Sequence, residues 1–192
     1  MAALGHPREG GSVSGPFARV PVDQRRTLGR AATALTILLF GAIAVLGVPL
    51  RSAAAPLGLV SLQFAGSPDA AESMLVSWAE VARGRLLWAH GLDLLLPIAY
   101  ASAIGLRAAT AAAAVSRARG AATLAAGSVL AAASADQVEN AALFVTLLVA
   151  PSWSSVLATL VAATVKWAML VIAVGALVAV MAVERTDGRR HG

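Results

Sequence analysis

Ala135-Asp136-Gln137-Val138-Glu139-Asn140-Ala141-Ala142-Leu143 is a polar stretch inside an alanine- and leucine-rich run long enough to cross a bilayer. On a helix Asp136, Glu139 and Asn140 fall at i, i+3 and i+4, so they project from one face with Gln137 beside them. That face cannot look at lipid, because a carboxyl near the bilayer centre costs ~2.5–3.5 kcal/mol on insertion scales. Two acids in one span therefore need partners or water inside the protein. Lys166, Asp93 and His90, each within another apolar run, are the candidate partners.

Composition agrees with this reading. Of the 192 residues 58% are hydrophobic and the mean hydropathy is +0.77, which places the chain in the membrane class. Cysteine is absent, which excludes disulfides, thiolate metal sites and cysteine nucleophiles together. The net charge of +5 comes from arginines outside the apolar runs and reports orientation rather than nucleic acid.

Residues 1–28 mix Gly, Pro, Ser and Arg without an apolar period and read as a disordered, solvated tail. Residues 29–184 read as a membrane domain with spans at about 31–50, 86–106, 121–149 and 156–183, followed by a short tail over 185–192. A secretory signal is the rival for the first run, since Arg25, Arg26 and Arg30 precede it and Ser52-Ala53-Ala54-Ala55 follows. Its apolar length exceeds the usual signal core of about 7–15 residues. Between the first two spans, Asp69-Ala70-Ala71-Glu72 has capping-box spacing. Met74, Leu75, Trp78 and Val81 then share a face, predicting a surface helix over about 69–84. The second span carries His90, Asp93, Pro97 and Tyr100 in one stripe, and Pro97 is expected to kink it and free a carbonyl. The third has Gly127, Ala131 and Ala135 as a small-residue ridge for close packing. Trp78, Trp88 and Trp153 read as interface anchors, and Pro151-Ser152-Trp153-Ser154-Ser155 as a tight turn.

The expected fold is therefore all-α: a membrane-spanning four-helix bundle with a short amphipathic helix in its first outer loop. Arginines cluster in both tails and in the middle loop (Arg107, Arg117, Arg119), whereas the final turn has none. The positive-inside rule then puts both termini in the cytoplasm of a multi-pass plasma-membrane protein. At 1.5 Å per residue, Asp93, Glu139 and Lys166 lie at similar depth. This predicts an interior cluster of Asp93, Asp136, Glu139, Asn140 and Lys166, with His90 above and Tyr100 below. Three carboxyls against one ammonium leave excess negative charge in a low-dielectric layer, so the set is expected to share a proton.

The order Leu62-Gln63-Phe64-Ala65-Gly66-Ser67, Trp78, Leu92-Asp93 with Pro97 and Tyr100, Asp136 with Glu139-Asn140, and Lys166 resembles a family of uncharacterised bacterial four-span integral membrane proteins. The resemblance covers residues 57 to about 170. The family's pattern has an acid where this chain has Gln63, which removes any charge role there. The resemblance implies the four-span architecture and no activity. A looser similarity, to the sterol-isomerase and sigma-2-type four-helix fold, rests on span count and buried acids alone.

Four functions fit these residues. The first is binding of a small amphipathic or lipid-like molecule at the buried cluster, with Lys166 holding an anion or an acid holding an amine. The second is a membrane enzyme acting on a lipid or isoprenoid, with Asp and Glu as acid and base. Proton-coupled transport is the third and would call for a homo-oligomer; a structural or assembly subunit with a buried ion pair is the fourth. The expected partners are the bilayer and such a ligand, not nucleic acid. No cofactor or metal is expected, because a cation at His90 and Asp93 would compete with Lys166 and no second histidine lies in a span.

Overall fold

The computed structural model describes residues 15–78 and 83–191, with side chains described for 15–78 and 84–187. Residues 1–14 of the expected tail, and Glu80 and Val81 of the expected surface helix, lie outside the described residues. Among the described residues every regular element is helical. The order is α1 (Val22–Gly47), α2 (Leu59–Gln63), α3 (Pro68–Trp78), α4 (Arg83–Asp93), α5 (Leu96–Ala114), α6 (Arg119–Leu148) and α7 (Trp153–His191), with single 3-10 turns at Pro16–Arg19, Val48–Leu50 and Ser116–Ala118. Three helical segments are long and apolar enough to cross a membrane: Val22–Leu50, Gly84–Ala114 and Trp153–Asp187. Their outward faces carry bare apolar side chains, Ile37, Leu38, Phe40 and Val45 on α1 and Val161, Val171 and Val178 on α7. Water would penalise so large an apolar surface.

The helices form a layered bundle. α6 packs most extensively on α7, α5 lies against α6, and α1 rests on α4 and α5 at the edge. The seam of α6 is Ala122, Ala125, Val129, Ala132, Asp136, Glu139 and Leu143, continuing from Ala118 of the preceding turn, with alternating steps of four and three residues. Such a stripe keeps one face against a neighbouring helix. α7 answers with Val156, Thr159, Ala163, Lys166, Ala173 and Val180. The close-packed ridge of α6 is therefore this alanine seam. Gly127 and Ala131, expected to form it, are exposed, and Ala135 is half-buried. Small residues alone did not identify the buried face, because alanine occurs on every side of this helix.

Several boundaries differ from the sequence expectation. α1 begins at Val22 rather than near residue 31, so residues 22–28 are helical and not tail. Arg25, 8% exposed, binds the carbonyls of Ala18, Val20 and Ala109 and anchors this extension. α5 continues to Ala114, which places Arg107 in a helix and not in the loop. There it forms a two-pronged ion pair with Glu184 of α7. Apolar limits mark where a helix leaves the hydrocarbon, not where it ends. α7 starts at Trp153, ahead of the expected span, because Ser152 and Ser155 cap each other reciprocally: the Ser152 N–H donates to the Ser155 hydroxyl at 3.1 Å and the Ser155 N–H to the Ser152 hydroxyl at 3.2 Å.

The segment between α1 and α4 packs against the bundle. α3 is capped by Ser67, whose hydroxyl accepts from the Ala70 amide at 3.2 Å, so Asp69 is not the cap. Its Ala71, Met74, Leu75 and Trp78 face joins Leu50, Leu59, Leu62, Leu143 and Val156 in one apolar cluster. Trp78 is 2% exposed and donates its indole N–H to the Leu50 carbonyl at 2.6 Å. It clamps α3 to the end of α1 and is no interface anchor. Trp88 and Trp153 are exposed. Gly58, at φ +60°, turns the chain into α2 where an added Cβ would meet the Gly47 carbonyl oxygen at 3.2 Å.

Candidate functional site

The site is built where α4 breaks into α5 and where the polar part of the α6 seam meets Lys166. Pro97 has no N–H to offer the carbonyl of Asp93 four residues earlier, and α4 ends at that residue. Asn140 supplies the missing donor: its side-chain amide reaches the Asp93 carbonyl at 3.2 Å. Gln137, one turn earlier on α6, does the same for the neighbouring Leu94 carbonyl at 3.0 Å. Two amides on one helix thus cap two carbonyls of the break. The expected kink at Pro97 is a break at Leu94 and Leu95, and the stripe of His90, Asp93, Pro97 and Tyr100 stays buried across it.

Below these caps lies a charged core. The Lys166 ammonium sits 2.6 Å from Glu139 Oε2 and 3.3 Å from Asp136 Oδ1. The Tyr100 hydroxyl donates to the other Asp136 oxygen at 3.1 Å. Asp136 therefore has a partner for each oxygen, while Glu139 and Asn140 are both 0% exposed and incompletely used. Glu139 Oε1, Asn140 Oδ1 and both ring nitrogens of His90 are buried without a hydrogen-bond partner. The His90 ring stacks on Phe144 of α6, with centroids 6.0 Å apart. The Lys166 ammonium also lies 5.5 Å from the centre of the Trp167 ring, which stays partly exposed.

The seven residues singled out by sequence, His90, Asp93, Tyr100, Asp136, Glu139, Asn140 and Lys166, are all buried. The structure joins Tyr100, Asp136, Lys166 and Glu139 through side chains. It joins Asp93 to Asn140 through the Asp93 main chain. Three further residues were not among the candidates. Gln137 is a cap, visible in sequence only as a neighbour of Asp136. Thr159, buried with an unpartnered hydroxyl, lies two turns before Lys166 on the α7 seam, and that seven-residue spacing was its signal. Gln63 is buried with an unpartnered carbonyl oxygen because α2 folds against α7, and nothing local announces that contact.

The polar interior is one-sided. From Tyr100 toward the Arg107 end, the contacts become Ala108, Ala111, Ala112, Ala122, Ala125 and Ala176 with Val180, beside the buried hydroxyl of Ser128. Among the described residues no group of three His, Asp or Glu side chains is arranged to hold a metal ion. Comparison with protein-family models, curated proteins and solved structures gives no match to the chain.

Proposed function

We propose that this is a four-span plasma-membrane protein that binds a small amphipathic molecule at the Lys166 cluster. In this reading α6 is the fourth span beside α1, α4–α5 and α7, with both termini cytoplasmic. α6 has 30 residues, about 45 Å of helix, enough to cross, and its acids point into the seam where lipid cannot reach them.

One observation carries the binding reading: Glu139 Oε1, Asn140 Oδ1 and the His90 nitrogens are buried beside an ion pair yet lack partners. A network that served packing alone would be expected to satisfy such atoms, since each one left unpaired costs about 1–3 kcal/mol. Asp136, with both oxygens engaged, is the fixed member that holds Lys166; Glu139 is the member with an oxygen to offer. The unpartnered carbonyl and carboxylate oxygens accept and do not donate, so the headgroup that suits them carries N–H or O–H donors. Among the described residues Ser128 is the one buried polar side chain of α5, α6 and α7 beyond Tyr100, too sparse a route for ions, which favours binding over flux through the bundle.

The test is native mass spectrometry of the full chain from gentle detergent, comparing wild type with Glu139→Gln and Lys166→Met. A discrete adduct present in wild type and lost from both variants supports the pocket. An empty wild type, with variants that unfold early, would make the cluster a structural ion pair.

A further inference from the structure

A second feature lies beside the charged cluster, between α5 and α6, and uses none of its charged side chains. Between these helices runs a groove with a cavity of about 350 Å³, bounded by Pro97, Ala101, Leu130, Ala133 and Phe17. A smaller cavity of about 60 Å³ continues toward Ala109 and Gly127, again bounded by Phe17 and Leu130. The Phe17 ring thus stands between two parts of one groove. It is seated over Gly105, where an added Cβ would overlap the ring. The segment that carries it, Pro16–Arg19, is one 3-10 turn without buried residues, tied down by Arg25.

Arg25 is an unusual anchor. Its guanidinium is buried yet bonds only neutral carbonyls, those of Ala18, Val20 and Ala109, and among the described residues it has no acid partner. Ala18 and Ala109 also line the smaller cavity, so the charge lies directly behind it. Arg26 and Arg30, against Asp23, leave this end net positive. Within the groove Ser102 and Ser134 return no bond to their own helices, whereas Thr33, Thr36, Thr110, Thr146 and Thr164 each do.

We propose that the α5–α6 groove is a binding site for an acyl chain of an anionic phospholipid in the leaflet at the Arg25 end, and that Phe17 is its displaceable plug. Phe17 shows that the groove accepts an apolar group, and Arg25 supplies the charge that selects an anionic headgroup. The lipid chain replaces the ring over Gly105, the phosphate takes guanidinium bonds now given to Ala18 and Val20, and the Pro16–Arg19 turn is released. The groove shares Pro97 and Gln137 with the capped break but none of the charged side chains of the Lys166 cluster.

The chain has no cysteine, so exposed Arg19 can be replaced by Cys and given a nitroxide as the sole label. The full chain would be placed in nanodiscs of dioleoylphosphatidylcholine, with or without dioleoylphosphatidylglycerol in equal parts. The spin label is expected to be held in phosphatidylcholine and to become mobile when phosphatidylglycerol is present. Adding Gly105→Ala, which evicts the ring but leaves Arg25 intact, should make it mobile in both lipids. Native mass spectrometry should show several-fold greater retention of phosphatidylglycerol over phosphatidylcholine by wild type. Phe17→Ala should increase that retention and Arg25→Gln should abolish the preference. A label equally held in both lipids, with Gly105→Ala and Phe17→Ala retaining the two lipids as wild type does, would overturn the proposal. Those two variants decide it even where Arg25→Gln fails to fold.

Discussion

Asn140 donates its side-chain amide to the Asp93 main-chain carbonyl at 3.2 Å, replacing the main-chain N–H that Pro97 lacks. A defect in one helix is repaired by a side chain of another, so the break and the cap form one unit. Asn140→Leu should cost about 1–3 kcal/mol in reversible denaturant unfolding in micelles, because the buried carbonyl is left unpaired. Pro97→Ala restores an N–H, and in that background the loss from Asn140→Leu should shrink. Equal losses in both backgrounds would show that the two residues are not coupled.

Lys166 lies between two carboxylates, at 2.6 Å from Glu139 and 3.3 Å from Asp136. Lys166→Met strands both acids and should cost about 3–5 kcal/mol. Adding Asp136→Leu and Glu139→Gln should recover much of that, since the uncompensated charge is gone. The thermal midpoint of the triple variant in detergent is the measurement. A triple variant no more stable than Lys166→Met alone would refute the ion-pair account.

Trp78 ties α3 to the end of α1 through the Leu50 carbonyl. Trp78→Phe keeps most of the buried ring but removes the N–H, with an expected loss of about 1–3 kcal/mol. Hydrogen exchange should rise in residues 48–78 while α6 around Asp136 stays protected. Uniform deprotection of the whole bundle would mean that the clamp acts globally.

The buried seam of α6 separates two substitutions that look alike in sequence. Ala125 is fully buried, so Ala125→Leu must push α6 away from its neighbours and should cost about 1–3 kcal/mol or more. Gly127→Ala meets nothing within 4 Å and should be neutral or stabilising by roughly 0.5–1 kcal/mol through helix propensity. Guanidinium or dodecyl sulfate unfolding followed by circular dichroism reads both, and the reverse order would restore the Gly127 ridge.

The sequence by itself determined the helical class, the apolar runs, the polar break in α6 and the stripe His90–Asp93–Pro97–Tyr100. All of these depend on the spacing of residues within one helix, and a period of about 3.6 is legible wherever neighbours on the chain decide it. It also pointed to the level at which Lys166 meets α6, because depth follows from counting along a helix of fixed rise. Only the tertiary structure decided which alanine face of α6 is buried. It also decided that Asp136 is fully paired while Glu139 keeps a free oxygen, that Trp78 and Gln63 turn inward, and that Phe17 sits over Gly105. The physical reason is partner choice. Asn140 and Asp93 stand 47 residues apart, and Arg25 and Ala109 stand 84 apart. No local pattern encodes which of many similar apolar faces will meet, so those contacts are set by how the helices fit together.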